Sequence, residues 1–222
     1  GDAALKKELK ALEFIPLSSF RDYLKSLHQS EINLDKLSCT FGHLTTITRV
    51  AIKGNTPPLP YYVAAWKFAA GCGLYIIVRS RQDKALEIFG TLLADLGLSG
   101  IGGKQSSGLG KFDVQQSHVP AELMELIEDD QAEYQMLIGT ALPVDVELDK
   151  VLCNGWYTLI RRGGFIRSQN YAPGQLKKRT MYMLAPGSCL QSRFTGGMSD
   201  LSDNGAHPVW RCGSTIFVGV KM

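Results

Sequence analysis

The 222-residue sequence lacks an uninterrupted apolar segment long enough to cross a bilayer. Its longest apolar run, residues 61–78, is broken by Lys67, Gly71 and Gly73. The chain opens on Gly1 in a polar stretch that has no secretory signal pattern. These absences predict a soluble, cytoplasmic protein.

Cysteine and histidine are scarce and poorly spaced for metal binding or disulfide formation. The five cysteines form no C-x-x-C pair and the four histidines are isolated from one another. An odd number of scattered thiols favours free cysteines in a reducing compartment. The sequence therefore predicts no disulfide framework, no metal site and no cofactor.

Charge is unevenly distributed along the chain, although the net charge is only +3. Residues 1–38 are neutral, residues 39–118 carry a net charge of +4, residues 119–150 carry −8 and residues 155–222 carry +7. Two basic segments on either side of an acidic one suit a polyanionic partner. Solvated charged faces would give the same pattern, so charge by itself does not choose between these interpretations.

The first half of the chain alternates between helix and strand patterns. Residues 1–38 predict a helical linker segment, with Ser18 or Ser19 as the N-cap of its helix. Residues 39–118 predict strands at HLTTITRVAI, YYVAAWKFA and LYIIVRS, the last of them buried, then a helix capped by Gly97 and a strand at KFDVQ. The turn-rich stretch KGNTPPLP separates the first two strands.

Residues 119–222 predict a second domain that also mixes helices and strands. An acidic helix at 119–133 and a short helix at DVELDKVL accompany strands at YQMLIGTAL, WYTLIRRGGFI, TMYMLAPGSCL and STIFVGVKM. No low-complexity linker divides this domain from residues 39–118, so the two domains are expected to pack together. The element order within 39–118 is most of a ferredoxin-like unit, and the predicted fold class is α+β.

A glycine-rich loop at 100–110, within the stretch GIGGKQSSGLGKF, matches neither common nucleotide-binding motif. A P-loop requires Gly-Lys-Ser/Thr, but Leu109 follows Gly108. The dinucleotide fingerprint requires a glycine where Gln105 stands, and it opens a helix, whereas this loop leads into a predicted strand. Both interpretations are excluded.

The composition of the loop nevertheless suits phosphate. Glycine lets backbone N–H groups approach a ligand closely and allows positive φ, so that successive amides can form an anion-binding nest. Ser106 and Ser107 add hydroxyl donors, and Lys104 and Lys111 add positive charge. The best-matched ligand is a phosphate backbone bound without base reading, and a solvent-facing turn is the alternative.

The spacing of the glycines indicates a protein family more specifically than their number does. GIG at 100–102 and GLG at 108–110 are separated by five residues, which gives the pattern G-h-G-x5-G-h-G, where h is hydrophobic. This pattern resembles the signature of the RAMP superfamily, the ferredoxin-fold RNA-binding proteins of CRISPR systems. In that superfamily the signature lies between the second helix and the last strand of a βαββαβ unit, as it does here.

Three stretches in the C-terminal half narrow the resemblance: NGWYTLIRRGGFIRS, KKRTMYMLAPGSCL and HPVWRCGSTIFVGVK. They are similar to the RAMP subunit of type III-A (Csm) interference complexes that caps the 5′ handle of the guide RNA. The likeness covers residues 39–222 and implies two packed ferredoxin-like, RRM-like domains. Family members open with a strand and a helix, and the first domain of this chain is expected to lack both.

The resemblance implies a non-catalytic RNA-binding subunit that acts in antiviral defence. Its implied partners are the 5′ repeat-derived handle of the crRNA, the large polymerase-like subunit of the complex and a backbone RAMP subunit. RAMP relatives also include endoribonucleases that process precursor CRISPR RNA with a histidine base. His43 or His118 would have to serve as that base here, and this enzymatic alternative stays open.

The candidate RNA-binding residues are glycines, cations, hydroxyls and one aromatic ring, and no catalytic residue is predicted. Those in the glycine loop are Gly100, Gly102, Gly103, Lys104, Ser106, Ser107, Gly108, Gly110 and Lys111. Those elsewhere are Arg49 and Lys53 beside the hairpin tip, Arg161, Arg162 and Arg167 around a second glycine pair, and Trp210 and Arg211 in the closing motif. Trp210 is the candidate for base stacking.

Overall fold

The computed structural model describes residues 7, 12, 14–29, 37, 40–52, 54 and 57–221. Its contacts divide the chain into two compact units, called here the N-unit (Gly1–Ser19 with Asn33–His118) and the C-unit (Phe20–Ile32 with Val119–Met222). Both units mix helices with small antiparallel sheets, which confirms the α+β class. None of the helices in the described part of the chain combines the length and the hydropathy needed to span a bilayer.

Helix α1, Leu17–Gln29, contributes most of its residues to the C-unit. The N-unit is built around a long antiparallel hairpin of β1, Gly42–Ala51, and β2, Leu59–Phe68, both close to their predicted positions. Helix α2, Asp83–Ser99, follows, and a short 3₁₀ helix, Gln105–Ser107, lies inside the glycine loop.

Two predicted strands of the N-unit are not strands in the structure. Residues 74–80, LYIIVRS, have no regular structure, and Leu74 and Tyr75 are largely exposed instead of buried. Residues 111–115, KFDVQ, also form no strand. A β-branched sequence becomes a strand only when a neighbour completes its hydrogen-bond ladder, and no described strand pairs with either segment. The ferredoxin-like sheet of this unit therefore stays a prediction.

Three predicted helix boundaries also need correction. Helix α1 begins at Leu17, so Ser18 and Ser19 lie inside its first turn and do not cap it. Helix α2 continues past Gly97 and is capped by Gly100, whose φ of 87° suits the left-handed side of the map. The acidic helix is shorter than 119–133, because Asp129 already leaves the helical conformation.

The C-unit contains three short helices and sheets of two or three strands. Its elements after α1 are α3 (Ala121–Glu128), β3 (Tyr134–Leu137), α4 (Asp145–Leu152), β4 (Leu159–Arg162), β5 (Met181–Leu184), β6 (Cys189–Leu190), β7 (Met198–Asp200), β8 (Trp210–Cys212) and β9 (Phe217–Val220). The strands pair in the orders β6-β3-β9, β4-β5 and β7-β8, all antiparallel. Helix α4 matches its prediction, whereas the β7-β8 pair was not predicted as a pair.

The hydrophobic core of the C-unit covers both faces of the β6-β3-β9 sheet. Phe217 packs on one side, with its ring edge-to-face against Phe194 at 5.1 Å between centroids. Val218 and Val220 face the other side, where Ile127 of α3 and apolar residues of α1 cover them. Alternate residues of β9 thus point to opposite faces, and every residue of this strand is buried.

One buried polar network joins the middle of the sheet to its surroundings. Gln135, 1% exposed, donates from Nε2 to the carbonyl oxygen of Asp129 at 3.2 Å and accepts from Arg193 Nε at 2.6 Å. Arg193 also donates to the Asp129 carbonyl at 3.0 Å. Gly219 lies opposite Gln135, and a Cβ there would collide with the same carbonyl oxygen. The turn at Asp129 therefore depends on glycine at position 219 and on the hydrogen bond from the Gln135 side-chain amide.

Glu147 connects the first turn of α4 to a loop that is distant in sequence. Its carboxylate accepts the backbone N–H groups of Thr195 (2.9 Å), Val144 (3.0 Å) and Gly196 (3.3 Å). These bonds, that of Thr195 above all, hold the pKa of Glu147 below its ordinary value despite partial desolvation. The negative charge is consequently stabilised by folding.

We expect Glu147→Gln to destabilise the C-unit by about 1 kcal/mol at neutral pH, because one carboxylate oxygen is replaced by an NH₂ group that must face at least one N–H donor. A lowered pKa in the folded state contributes stability above the unfolded value and loses it as pH falls through the folded value. The difference in melting temperature between parent and variant should therefore shrink below about pH 4. Asp149→Asn, exposed on the same helix, is the matched control and should leave the melting temperature unchanged at neutral pH.

Candidate nucleic-acid interface

The glycine loop is closed by its outer glycines. The backbone N–H of Ile101 donates to the carbonyl oxygen of Gly110 at 2.9 Å, so the two ends of the loop meet. A Cβ on Gly110 would collide with the carbonyl oxygen of Ile101, and a Cβ on Gly100 would lie 2.9 Å from that of Leu109. Both positions also have positive φ. These two glycines are required by the close approach of backbone to backbone.

The inner glycines of the signature face open space. A Cβ on Gly102, Gly103 or Gly108 would meet no atom within 4 Å. Gly102 and Gly108 have φ values of 85° and 84°, so their conformation favours glycine although no neighbour demands it. The signature therefore separates into glycines that close the loop and glycines that leave its outer surface bare.

The bare surface carries backbone donors. Among the described residues, the amide N–H groups of Gly103 and Lys104 meet no backbone acceptor. The amides of Ser107, Gly108 and Leu109 instead donate within the loop, to the carbonyl oxygens of Lys104 or Gln105. Lys104 itself has a left-handed φ of 60°. Successive amides without an acceptor around a left-handed residue are the arrangement that can form an anion-binding concavity.

The β1-β2 hairpin supports this loop through one cross-strand pair. Arg49 and Tyr61 lie directly opposite each other in the hairpin. The guanidinium of Arg49 donates to the carbonyl oxygen of Ser107 at 3.2 Å, and the ammonium of Lys104 lies 5.7 Å from the centroid of the Tyr61 ring. Inside the loop, Gln105 Nε2 donates to the Gly100 carbonyl at 2.6 Å. Arg49 thus holds the loop in place, a role that its charge alone did not indicate.

The loop surface is positively charged. Residues 97–112 include Lys104 and Lys111 and no acidic residue. Lys111, Ser106 and Ser107 are exposed, and the Ser107 hydroxyl donates to the Lys104 carbonyl at 3.0 Å. Lys53, predicted beside the hairpin tip, lies outside the described residues.

The basic residues predicted in the C-unit do not form one cluster with a common orientation. Arg161 is exposed on β4, whereas the neighbouring Arg162 is half-buried on the opposite face of that strand. Arg167 is exposed beyond the strand. Of the three arginines, Arg161 and Arg167 are therefore accessible to a ligand at the surface.

Trp210 and Arg211 point to opposite faces of β8. Trp210 is 59% exposed, as stacking requires, but it lies opposite Asp200, whose pKa is lowered chiefly by the N–H of Ser202. Arg211 is half-buried, and its guanidinium donates to Met183 Sδ and Thr140 Oγ1, each at 3.4 Å. A carboxylate beside Trp210 disfavours phosphate there, and Arg211 is engaged by protein groups. Their assignment to RNA stays a prediction.

Two residues that support the loop were not predicted from the sequence. The sequence indicates Tyr61 only as part of a strand, and Gln105 only as a residue that breaks a motif. Tyr61 could have been found by pairing the two predicted strands outward from the KGNTPPLP turn, which places it near Arg49. The role of Gln105 has no such signal, because its amide bridges two points within an irregular loop.

The histidines considered for catalysis are not brought into a catalytic cluster by the described residues. His43 lies on β1 opposite Lys67, and His118 is exposed beyond the segment that follows the loop. No group of three or more histidine, cysteine or acidic side chains that could hold a metal occurs in the described part of the chain. Cys72, Cys153, Cys189 and Cys212 are free thiols, and burial raises the pKa of the Cys189 thiol.

Comparison with known proteins defines first a class and then a family. The CRISPR Csm4 C-terminal domain matches residues 130–220, which places the C-unit among proteins of CRISPR systems. The CRISPR system Cms protein Csm4 of Mycobacterium tuberculosis is 31% identical over 223 residues, with 99% of this chain and 71% of that protein covered. The protein of the same name from Streptococcus thermophilus is 30% identical, with 86% and 59% covered. The chain belongs to the Csm4 family.

A solved structure shares the fold. It is a chain of the Csm3–Csm4 subcomplex in the type III-A CRISPR-Cas interference complex, with a TM-score of 0.58 and 18% sequence identity. The match covers 92% of this chain and 61% of that chain. The present chain thus spans between about three fifths and seven tenths of the length of these relatives.

We expect Arg49→Ala to loosen the glycine loop without unfolding the N-unit. Loss of the hydrogen bond to Ser107 removes roughly 1 kcal/mol, which corresponds to about fivefold faster opening of the loop. Hydrogen exchange read by mass spectrometry should show this acceleration at the amides of Ser107, Gly108 and Leu109. Thr48→Ala, on the exposed opposite face of β1, is the matched control; equal exchange in both variants would show that Arg49 does not support the loop.

Proposed function

We propose that this protein is a non-catalytic subunit of a type III-A CRISPR effector complex and binds the 5′ repeat-derived handle of the crRNA through its glycine loop. The observation that carries the proposal is a pair of successive backbone amides without a described backbone acceptor, at Gly103 and Lys104, beside bare glycines, with Lys111 adjacent and no acidic residue nearby in the loop sequence. Donors of this kind recognise phosphate oxygens and are indifferent to base identity.

Membership of the Csm4 family supports the assignment to a CRISPR complex. A family protein forms a subcomplex with Csm3, and we extend that association to this chain as the contact with a backbone subunit. Docking to the large polymerase-like subunit and a ferredoxin-like arrangement of both units belong to the same proposal. The RNA is expected to be bound intact, because the loop offers donors for phosphate but no histidine or carboxylate positioned for proton transfer.

We expect the double variant Lys104→Ala, Lys111→Ala to bind single-stranded RNA more weakly and with a smaller dependence on salt. Each lost phosphate contact should lower the slope of log affinity against log salt by roughly 0.7. Fluorescence anisotropy across a potassium chloride series measures this slope. The expected weakening is uniform across RNA sequences, since phosphate contacts carry no base information. An unchanged slope would show that the loop lysines do not contact RNA.

We expect Gly108→Ala to impair binding of the handle RNA more than it impairs folding. The left-handed conformation costs an alanine about 1–2 kcal/mol, and the added methyl meets no protein atom. It would project into the space where the phosphate backbone must approach the amides. Thermal melting should remain cooperative while the affinity for a handle-sequence oligonucleotide falls.

Two other glycines provide controls for this prediction. Gly90→Ala, in helix α2, also adds a methyl to open space and should stabilise the helix by about 0.5–1 kcal/mol with no loss of RNA binding. Gly110→Ala should damage the fold of the loop, because its methyl collides with Ile101. If Gly108→Ala binds the handle as tightly as the Gly90 variant, the loop is only a turn.

A further inference from the structure

The C-unit contains a two-stranded ribbon that extends beyond the regular strands. Strands β4 and β5 pair from Leu159 opposite Leu184 to Arg162 opposite Met181. Pairing then continues through a bridge between Phe165 and Lys177. We call residues 159–167 and 176–184 the basic ribbon.

The charged side chains of the basic ribbon are all positive. Between residues 159 and 184 there are six lysines and arginines and no aspartate or glutamate. In the described part of the chain, Arg161, Arg162, Lys177 and Lys178 form no ion pair. Such uncompensated positive charge attracts a polyanion and would be repelled by a basic surface.

Two cations of the basic ribbon each lie opposite an aromatic ring, and the surface that these four residues form is called here the aromatic face. Arg161 lies directly opposite Tyr182, and Lys177 lies opposite Phe165 with its ammonium 5.2 Å from the ring centroid. Tyr182 is 59% exposed and Phe165 is 53% exposed. Lys177 therefore covers one side of the Phe165 ring and leaves the rest accessible. Large rings left in solvent between cations are a feature of surfaces that stack nucleobases.

The second strand of the ribbon contains a bulge near a cation that bonds elsewhere in the protein. Two residues separate Arg162 from Phe165, whereas three separate Lys177 from Met181, so one strand carries an extra residue. The N–H of Arg179 bonds to the Leu201 carbonyl at 2.9 Å and its guanidinium bonds to the Asp200 carbonyl at 2.6 Å. Arg179 thus anchors the ribbon to β7, and Arg161 and Lys177 remain on the aromatic face.

We propose that this face is a second RNA-binding site, which takes single-stranded RNA by stacking bases on Tyr182 and Phe165 while Arg161 and Lys177 bind the adjacent phosphates. A duplex does not fit this chemistry, because its bases are already stacked and present no free ring face. An acidic protein surface would use the cations but leave the two rings unexplained. The site deepens the proposed RNA-binding function and lies in a different unit from the glycine loop.

The test measures the affinity of the full chain for a short oligouridylate and for a duplex of the same length. Tyr182→Ala and Phe165→Ala should each weaken single-strand binding about tenfold, as expected for loss of one stacked base, with the salt slope unchanged. Arg161→Ala combined with Lys177→Ala should lower that slope by roughly 0.7 per cation. Oligouridylate that carries 5-iodouridine should photo-crosslink to Tyr182 or Phe165, which peptide mass spectrometry identifies.

Leu159→Ala is the matched control, because it removes an exposed apolar side chain from the ribbon without removing a ring. Its affinity, and that of Tyr182→Phe, should equal the parent's. If both alanine variants of the rings bind oligouridylate as the parent does and no crosslink falls within 159–184, the proposed site is wrong while the RNA-binding function stands. The site is equally wrong if the ribbon variants lose only a protein partner. A parent chain that binds no RNA overturns both this site and the proposed function.

Discussion

The hydrogen bond from Ile101 to the carbonyl oxygen of Gly110 is the constraint on which the candidate interface depends. It brings two backbone segments closer than side chains would allow, and so it demands glycine at both ends of the loop. Once the ends are joined, the residues between them cannot form a longer helix and instead turn through a short 3₁₀ segment. The amides of Gly103 and Lys104 lie between the joined ends and meet no backbone acceptor among the described residues.

The two units present positive charge in physically different ways. In the N-unit, the positive potential comes from backbone N–H dipoles on an irregular loop and from two lysines beside them. In the C-unit, regular strand pairing sets cations and rings at fixed separations on a β-surface. Acidic residues of the C-unit are concentrated at 122–133, away in sequence from the ribbon, where Glu125 forms an ion pair with Arg21. Basic and acidic residues are thus separated along the sequence and also lie on different secondary-structure elements.

Local patterns predicted those features that local interactions determine. The hairpin could be predicted from alternation and a turn-rich tip, and α4 from the short segment DVELDKVL. The glycine signature located the loop, because closure requires glycine at fixed spacing. Residues 74–80 were mispredicted because periodicity reports what a segment would do beside a partner strand and not whether the partner is there.

Side-chain roles were harder to predict than elements: Arg49 was predicted from its charge, yet its guanidinium bonds to a carbonyl oxygen in the loop. The aromatic face of the ribbon could not be predicted from the sequence, because only the register brings Arg161 opposite Tyr182.

The packing of α1 on the C-unit has a consequence for how the chain folds. Phe20 and Leu24 pack against a buried cluster that includes Val218 and Val220 of β9, so most of the polypeptide lies between the helix and this strand in sequence. During synthesis the helix leaves the ribosome long before the strand that covers it, so its apolar face is exposed to solvent until that strand has been made. Contacts of such large sequence separation close a long loop and slow folding. The C-unit is therefore expected to complete its fold only after β9 has been synthesised, with α1 among the last elements to dock.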